Sequence, residues 1–276
     1  MRYHGGKFRI APRVIALFPE HRRYVEPFGG GAGVLVRKPR VAAEVYNDLD
    51  GEVVNVFRVL RDPRRARRLK AALEMTPFSR VEFNLSYEPH REPVEQARRT
   101  IMRSFMAFGT THRRASRSGF RAAQIQRNTT SAWDFRTWTE SLALFTSRLR
   151  GVVIENRAGV DVIVQQDHTD TLFFCDPPYV RATRSSLKGH GRKDGAYAHE
   201  MTDADHAALA GVLRGIEGMA VVCGYACALY DRELYPDWHR VELKTVADGA
   251  KPRVEVLWFN AAASAHLQPA FRAAAE

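Results

Sequence analysis

The apolar and polar positions divide the chain into alternating strands and helices, with a change of pattern in the middle. Apolar residues at Phe8, Ala11, Val14, Ile15 and Phe18 recur at helical spacing and predict an opening helix entered from Gly5-Gly6. Tyr24-Val25-Glu26-Pro27-Phe28 reads as a strand that runs into Gly29-Gly30-Gly31-Ala32-Gly33 and then into a helix at Val34-Leu35-Val36. A second strand, 42–46, ends at Asn47-Asp48-Leu49-Asp50, where Asp50 reads as the cap of a helix from Glu52 to Arg61. From Asp62 to Arg150 the pattern changes. Arg61, Arg64, Arg65, Arg67, Arg68 and Lys70 cluster on a predicted helix, and another helix spans 93–108. A polar stretch covers 109–131, and a helix over 132–149 returns the chain to the sheet.

The second half alternates again. A strand at 152–155, a helix at 160–166 and a strand at 171–175 precede a polar loop, 181–199. A helix capped by Thr202 leads to a strand at 220–223, and two segments, 239–246 and 253–259, alternate as a hairpin does. Strands alternating with helices and closed by a hairpin imply an α/β sheet with one antiparallel excursion.

Candidate chemistry concentrates at Asp176-Pro177-Pro178-Tyr179, directly after the apolar run TLFFC. In open α/β sheets ligands bind beyond the carboxyl ends of the strands, and this tetrapeptide sits at such an end. Two prolines fix φ twice and remove two backbone donors, so the Asp carboxylate, the Pro177 carbonyl and the Tyr ring are held in one stiff turn. A carboxylate and a carbonyl accept both hydrogens of an exocyclic amine while the aromatic face stacks on the ring that carries it. The glycine run after the first strand lets a ligand approach the main chain closely. Asp48, at the end of the next strand, stands where a carboxylate commonly holds a ribose diol. Gly5 and Gly6 with Lys7 read as a small anion site at a helix start. In the middle region, Arg, Gln and Asn in a Gly/Ser/Thr-rich ribbon suit phosphates and base edges.

Charge sharpens this picture. Lys plus Arg number 42 against 31 Asp plus Glu, a formal net charge of +11, and the pI is near 9.9. That excess points to a polyanionic partner. No apolar stretch approaches the length of a membrane span and the first residues lack a signal-peptide core, so a soluble, cytoplasmic protein without a membrane partner is expected. Cys175, Cys223 and Cys227 are an odd number, and no second Cys/His pair completes a zinc site with the last two. Free thiols and no metal are expected.

With these pieces in place, the chain resembles the Dam-like (D12 class) adenine-N6 DNA methyltransferases, especially their phage members. The resemblance rests on RYHGGK at 2–7, YVEPFGGGAG at 24–33, VYNDLD at 45–50, RSFMAFG at 103–109, SGFR at 118–121, LFFCDPPY at 172–179 and VEVLWFN at 254–260. The motif order is similar to the alpha arrangement of amino-methyltransferases. It implies a Rossmann-like α/β methyltransferase sheet, catalytic and cofactor-binding over 1–61 and 151–276, with an inserted, mainly helical target-recognition domain over 62–150. It implies S-adenosylmethionine as methyl donor, bound by Tyr3, Gly5, Gly6, Lys7, Glu26, Pro27, Phe28, Gly29, Gly31, Gly33, Asp48 and Asp176. Tyr3 stands where some relatives carry Trp. The cofactor adenine falls near Ala158, with backbone of Arg157 and Ala158 as its contacts and Asp161 as the nearest acid. Asp176, Pro177 and Tyr179 are the implied catalytic set, acting by base flipping and direct transfer to N6. Arg113, Arg114, Arg117, Arg121 and Gln124 are the implied contacts to double-stranded DNA. The setting implied is prokaryotic or phage-encoded, with a cognate restriction endonuclease as a further partner. Competing readings are an RNA adenine methyltransferase, a catalytically silent DNA-binding relative, and cytosine-N4 transfer, whose enzymes tend to carry Ser at the position of Asp176.

Overall fold

The structure, a computed structural model, describes residues 6–108, 117–122, 125–126, 129–184, 197–246, 252–265 and 267. In chain order the elements begin α1 (Ala11–Ile15), β1 (Arg23–Glu26), β2 (Ala43–Asn47), α2 (Gly51–Arg61), α3 (Pro63–Glu74), α4 (Arg80–Leu85) and α5 (Pro93–Met106). There follow β3 (Ile125–Gln126), β4 (Thr129–Thr130), α6 (Ser131–Glu140), α7 (Leu142–Leu149), β5 (Val152–Glu155), α8 (Gly159–Gln166) and β6 (Thr171–Cys175). The chain closes with α9 (Asp203–Arg214), β7 (Met219–Gly224), β8 (His239–Val246), β9 (Pro252–Phe259) and α10 (Ala261–Ser264).

The main sheet has seven strands in the order β5-β2-β1-β6-β7-β9-β8. β1 pairs in parallel with β2 and β6, β6 in parallel with β7, and β9 antiparallel with both β7 and β8. Every residue of β6 and β7 is buried, which is why both read as unbroken apolar runs. The chain winds outward from β1 to β2 in one direction and from β6 to β7 in the other, so the sheet reverses between β1 and β6. That is the crevice in which open α/β sheets bind ligands.

Two compact units are distinguished. One comprises Met1–Gly6, Asp50–Asn156 and Asp194–Ala198, the other Lys7–Leu49, Arg157–Lys193 and His199–Glu276. The first is built around α5, whose residues from Val94 to Met106 are almost all buried. Its arginines are each paired inside, as buried guanidinium groups must be. Arg98 binds Glu95 (2.7 Å) and Glu82 (3.0 Å), Arg99 binds Glu95 (2.8 Å), and Arg103 binds Glu52 and donates to the Ser86 carbonyl (2.5 Å). The Arg98 hydrogen bond holds the Glu95 carboxyl down at about 2. In the second unit the core joins Val25, Phe173 and Val222 from the sheet to Leu209 and Leu213 of α9 and to an aromatic group of Tyr230, Tyr235, Trp238 and Trp258.

Several expected elements differ. α1 begins only at Ala11, with Pro12 in its first turn, and ends at Ile15 ahead of Pro19; Phe8 is exposed. The Lys7 carbonyl opens the turn into α1, accepting from the amides of Ile10 (3.0 Å) and Ala11 (2.8 Å), and Gly5 lies outside the described residues. No helix follows the glycine run. Gly30 and Ala32 take positive φ (47° and 52°), and Val34 to Lys38 form single turns that Pro39 stops. The helix expected over 132–149 is two helices, because the Ser141 amide bonds Trp138 O (3.0 Å) while its hydroxyl back-bonds Thr137 O (3.1 Å). The strands at 152–155 and 171–175 stand where the pattern put them, and Asp50 and Thr202 cap α2 and α9, the latter with a full capping box.

Candidate active site

β6 ends at Cys175 and hands the chain to Asp176, Pro177, Pro178 and Tyr179. Burial dominates here. The side chain of Asp176 is 18% exposed, and that of Lys7, from the segment preceding α1, only 4%. The Lys7 ammonium lies 2.9 Å from Asp176 Oδ1 and 4.7 Å from the centroid of the Tyr179 ring. One cation is thus held by a carboxylate and an aromatic face together. Desolvation pushes the Asp176 carboxyl up to about 6; Lys7 pulls it down, and the carboxylate of Glu255 pushes it further up.

Tyr179 is buried, and its hydroxyl donates a short hydrogen bond to Glu255 Oε2 and lies 3.3 Å from Cys223 Sγ. Its ring meets the Tyr225 ring edge-on at 4.6 Å, and Arg253 Nη1 donates to the Tyr225 hydroxyl (2.8 Å). Burial raises the Tyr179 hydroxyl and the Cys175 and Cys223 thiols well above their usual ionisation ranges. All three cysteines are free, so these thiols stay protonated at neutral pH. Glu255, Cys223 and Tyr225 were missed in the sequence. Glu255 had a signal: on β9 it shares by period two the face of Leu257 and Phe259, and a charge among inward apolar positions demands a partner.

The loop after β1 packs against the end of β2. Asp48 Oδ2 accepts from the Gly30 amide (2.8 Å), the Tyr46 hydroxyl donates to Gly30 O (2.7 Å), and Asn47 Nδ2 donates to Pro27 O (2.8 Å). Glu26 Oε1 accepts from the Tyr24 hydroxyl and from the Leu35 amide, both at 2.7 Å. Gly33 permits the close approach of the Lys7 segment: a Cβ there would stand 2.8 Å from the Phe8 nitrogen. At Gly29 it would run into the Tyr46 ring, and Phe28 lies against Gly159 at the start of α8. Gly31 is half-buried in the same loop and Gly6 is exposed.

The residues singled out in the sequence fare unevenly. Lys7, Asp176, Pro177 and Tyr179 form one cluster, while Pro27 to Gly33 with Glu26 and Asp48 form a second at the ends of β1 and β2. Tyr3, Gly5, Arg113, Arg114 and Gln124 lie outside the described residues. The Arg157 amide donates to Asn47 Oδ1 (2.9 Å) and its carbonyl accepts from Asn47 Nδ2 (3.0 Å), which ties the start of α8 to the end of β2. Asp161 is exposed in the first turn of α8.

The family model for the D12 class N6 adenine-specific DNA methyltransferases matches residues 3–235. The chain belongs to that family. Its reaction class is therefore methylation of adenine in DNA, and DNA is its substrate. No curated protein is similar enough to the chain to count as a match. The matched span of this D12 class methyltransferase includes both site clusters but not Glu255, since β8 and β9 follow residue 235. It also includes the described part of the middle ribbon. There Phe120 bridges Ala107, the Phe108 amide donates to Gly119 O (2.7 Å) and the Arg121 amide to Met106 O (2.7 Å). Arg117 is exposed over the Tyr87 ring (5.2 Å), and half-buried Arg121 lies 6.0 Å from the Phe108 ring. Among the described residues no helix is long and apolar enough to cross a membrane.

Proposed function

We propose that the protein methylates the N6 amino group of adenine at a specific site in double-stranded DNA, using S-adenosylmethionine, with the target base turned out of the duplex. The observation that carries this reading is the position of the Lys7 ammonium, an N–H donor bound to Asp176 and set over Tyr179. An exocyclic amine presents the same donor to the same carboxylate while its ring meets the same aromatic face. Asp176 and the Pro177 carbonyl accept the two hydrogens of N6, which returns electron density from the ring to the nitrogen. Ionised above about 6, Asp176 is an acceptor at neutral pH. No protein nucleophile is required, and Cys175, buried in β6 with its thiol protonated, supplies none.

The residues at the ends of β1 and β2 suit the cofactor. The loop turns tightly through Gly30 and Ala32 beyond the end of β1, and the Asp48 carboxylate, tied to Gly30, stands at the end of β2. Asp48 would hold the ribose and the Glu26 to Gly33 turn with Lys7 the methionine portion. When bound, S-adenosylmethionine supplies an electrophilic methyl group on a sulfonium. Arg117 and Arg121, held by the bridge to the end of α5, are assigned to DNA.

Transfer of labelled methyl to duplex DNA, with ribosomal RNA as the comparison, tests substrate class. Long-read sequencing of DNA from a methylation-free host expressing the protein tests base and site. Label confined to N6 of adenine at one DNA sequence is expected; label on RNA or on cytosine N4 would overturn the reading.

A further inference from the structure

The carboxylate of Glu255 takes no part in the chemistry above, yet it is buried against three polar groups of the site. Its Oε2 accepts from the Tyr179 hydroxyl, lies 3.7 Å from Cys223 Sγ and stands 4.0 Å from Lys7 Nζ. Leaving water costs a carboxylate heavily unless its partners are well placed, and an apolar side chain would fill the same volume without that cost. The backbone delivers it with care. β9 pairs with β7 in the register Gly224 with Val256. Asn260 locks that register by accepting from the Ala220 amide (3.0 Å) and donating to Gly218 O (3.0 Å).

We propose that Glu255 is the positioning residue of this active site: it fixes the Tyr179 ring through its hydroxyl and sets the charge felt by Asp176 and Lys7. The proposal rests on the methyl-transfer reading. It separates from a merely structural role through electrostatics. Asp176 is faced by Lys7 from the segment before α1, Glu255 from β9, Tyr179 from its own turn, Cys175 from β6 and Cys223 from β7. Of these, Lys7 and Glu255 bring side chains of opposite formal charge to the site. Glu255 opposes ionisation of Asp176, so removing its charge lowers the pH at which Asp176 ionises, and the acid limb of activity follows.

The test compares the full-length wild type with Glu255→Gln, Glu255→Asp, Tyr179→Phe and the Tyr179→Phe, Glu255→Gln double variant. It reads kcat and KM on duplex DNA, the pH profile, and the Asp176 titration by carboxyl 13C NMR, assigned with Asp176→Asn. Glu255→Gln should lower kcat by about 10–100-fold, the loss typical of a group that orients a reacting one, with little change in KM. The Asp176 midpoint and the acid limb should both move to lower pH. Glu255→Asp keeps the charge and should restore the acid limb. The double variant should be no slower than the slower single, because both changes break one contact. Wild-type kcat with an unmoved midpoint in Glu255→Gln overturns the proposal, as does a lowered kcat with an unmoved midpoint and additive losses. Should Glu255→Gln fail to fold, Tyr179→Phe decides, since wild-type turnover there means the hydroxyl contact positions nothing. A wild type that transfers no methyl to DNA sinks the functional reading instead, while the NMR midpoints still judge Glu255.

Discussion

At the scale of single residues, two changes at the end of β6 separate electrostatics from shape. Asp176→Ala removes the charged acceptor for N6, and losing one such transition-state partner typically costs about 10²–10³ in rate. Turnover measured on a variant whose circular dichroism matches wild type checks this, and an unchanged rate would take Asp176 out of the mechanism. Tyr179→Ala removes the ring as well as the hydroxyl. Loss of an aromatic platform costs about 1–3 kcal/mol per base. A target adenine opposite an abasic site, where unpairing is already done, should therefore narrow the gap between Tyr179→Ala and wild type. An equal gap on both substrates would show that the ring packs and does not stack. Asp176 and Tyr179 were legible in the sequence because a strand, two prolines and an aromatic residue fix their geometry within a few positions. Glu255 was not, because its hydrogen-bond partner lies 76 residues away and only the antiparallel return of β9 joins them.

At the scale of elements, α5 is sensitive to acid. Glu95 binds Arg98 and Arg99, and its carboxyl is held at about 2 against an ordinary 4.5. A depressed carboxyl contributes stability that is complete above the unfolded value and lost as pH falls through the folded one. Glu95→Gln should therefore lower the melting temperature at pH 7, and the difference should close between about 4.5 and about 2, as thermal melts across that range would show. A constant difference would mean that packing, not charge, is lost. Helix spacing located α5 in the sequence, but not that its arginines point inward. The pattern of a buried helix with paired charges is the same as that of an exposed one until the partners, Glu82 and Glu52, are placed beside it. The break at Ser141 and the turns after Ala32 were illegible for a related reason. Both are decided by local hydrogen bonds that compete with an apolar pattern suited to a helix.

For the molecule as a whole, a net charge of +11 makes association with DNA dependent on salt. If Arg117 contacts phosphate, Arg117→Ala should weaken binding to all sequences alike and reduce the log–log salt slope by about one. A change in base preference at constant slope would identify a base reader instead. The α/β class, the closing hairpin and the place of Asp176 at the carboxyl end of a strand were readable from the alternation of elements, whereas the reversal of the sheet between β1 and β6 was not. The boundary of the helical unit was less so, because α2 continues the strand-helix alternation in sequence while packing with α3, α5 and α7. The order of the last strands carries a further consequence, for timing. β9 is made after β8 but lies between β8 and β7, so a chain on the ribosome stopped ahead of Pro252 has synthesised every other strand and still presents the bare apolar edge of β7. Synthesis and completion of the site are thereby coupled: Tyr179 meets the Glu255 carboxylate only in chains that have passed the hairpin.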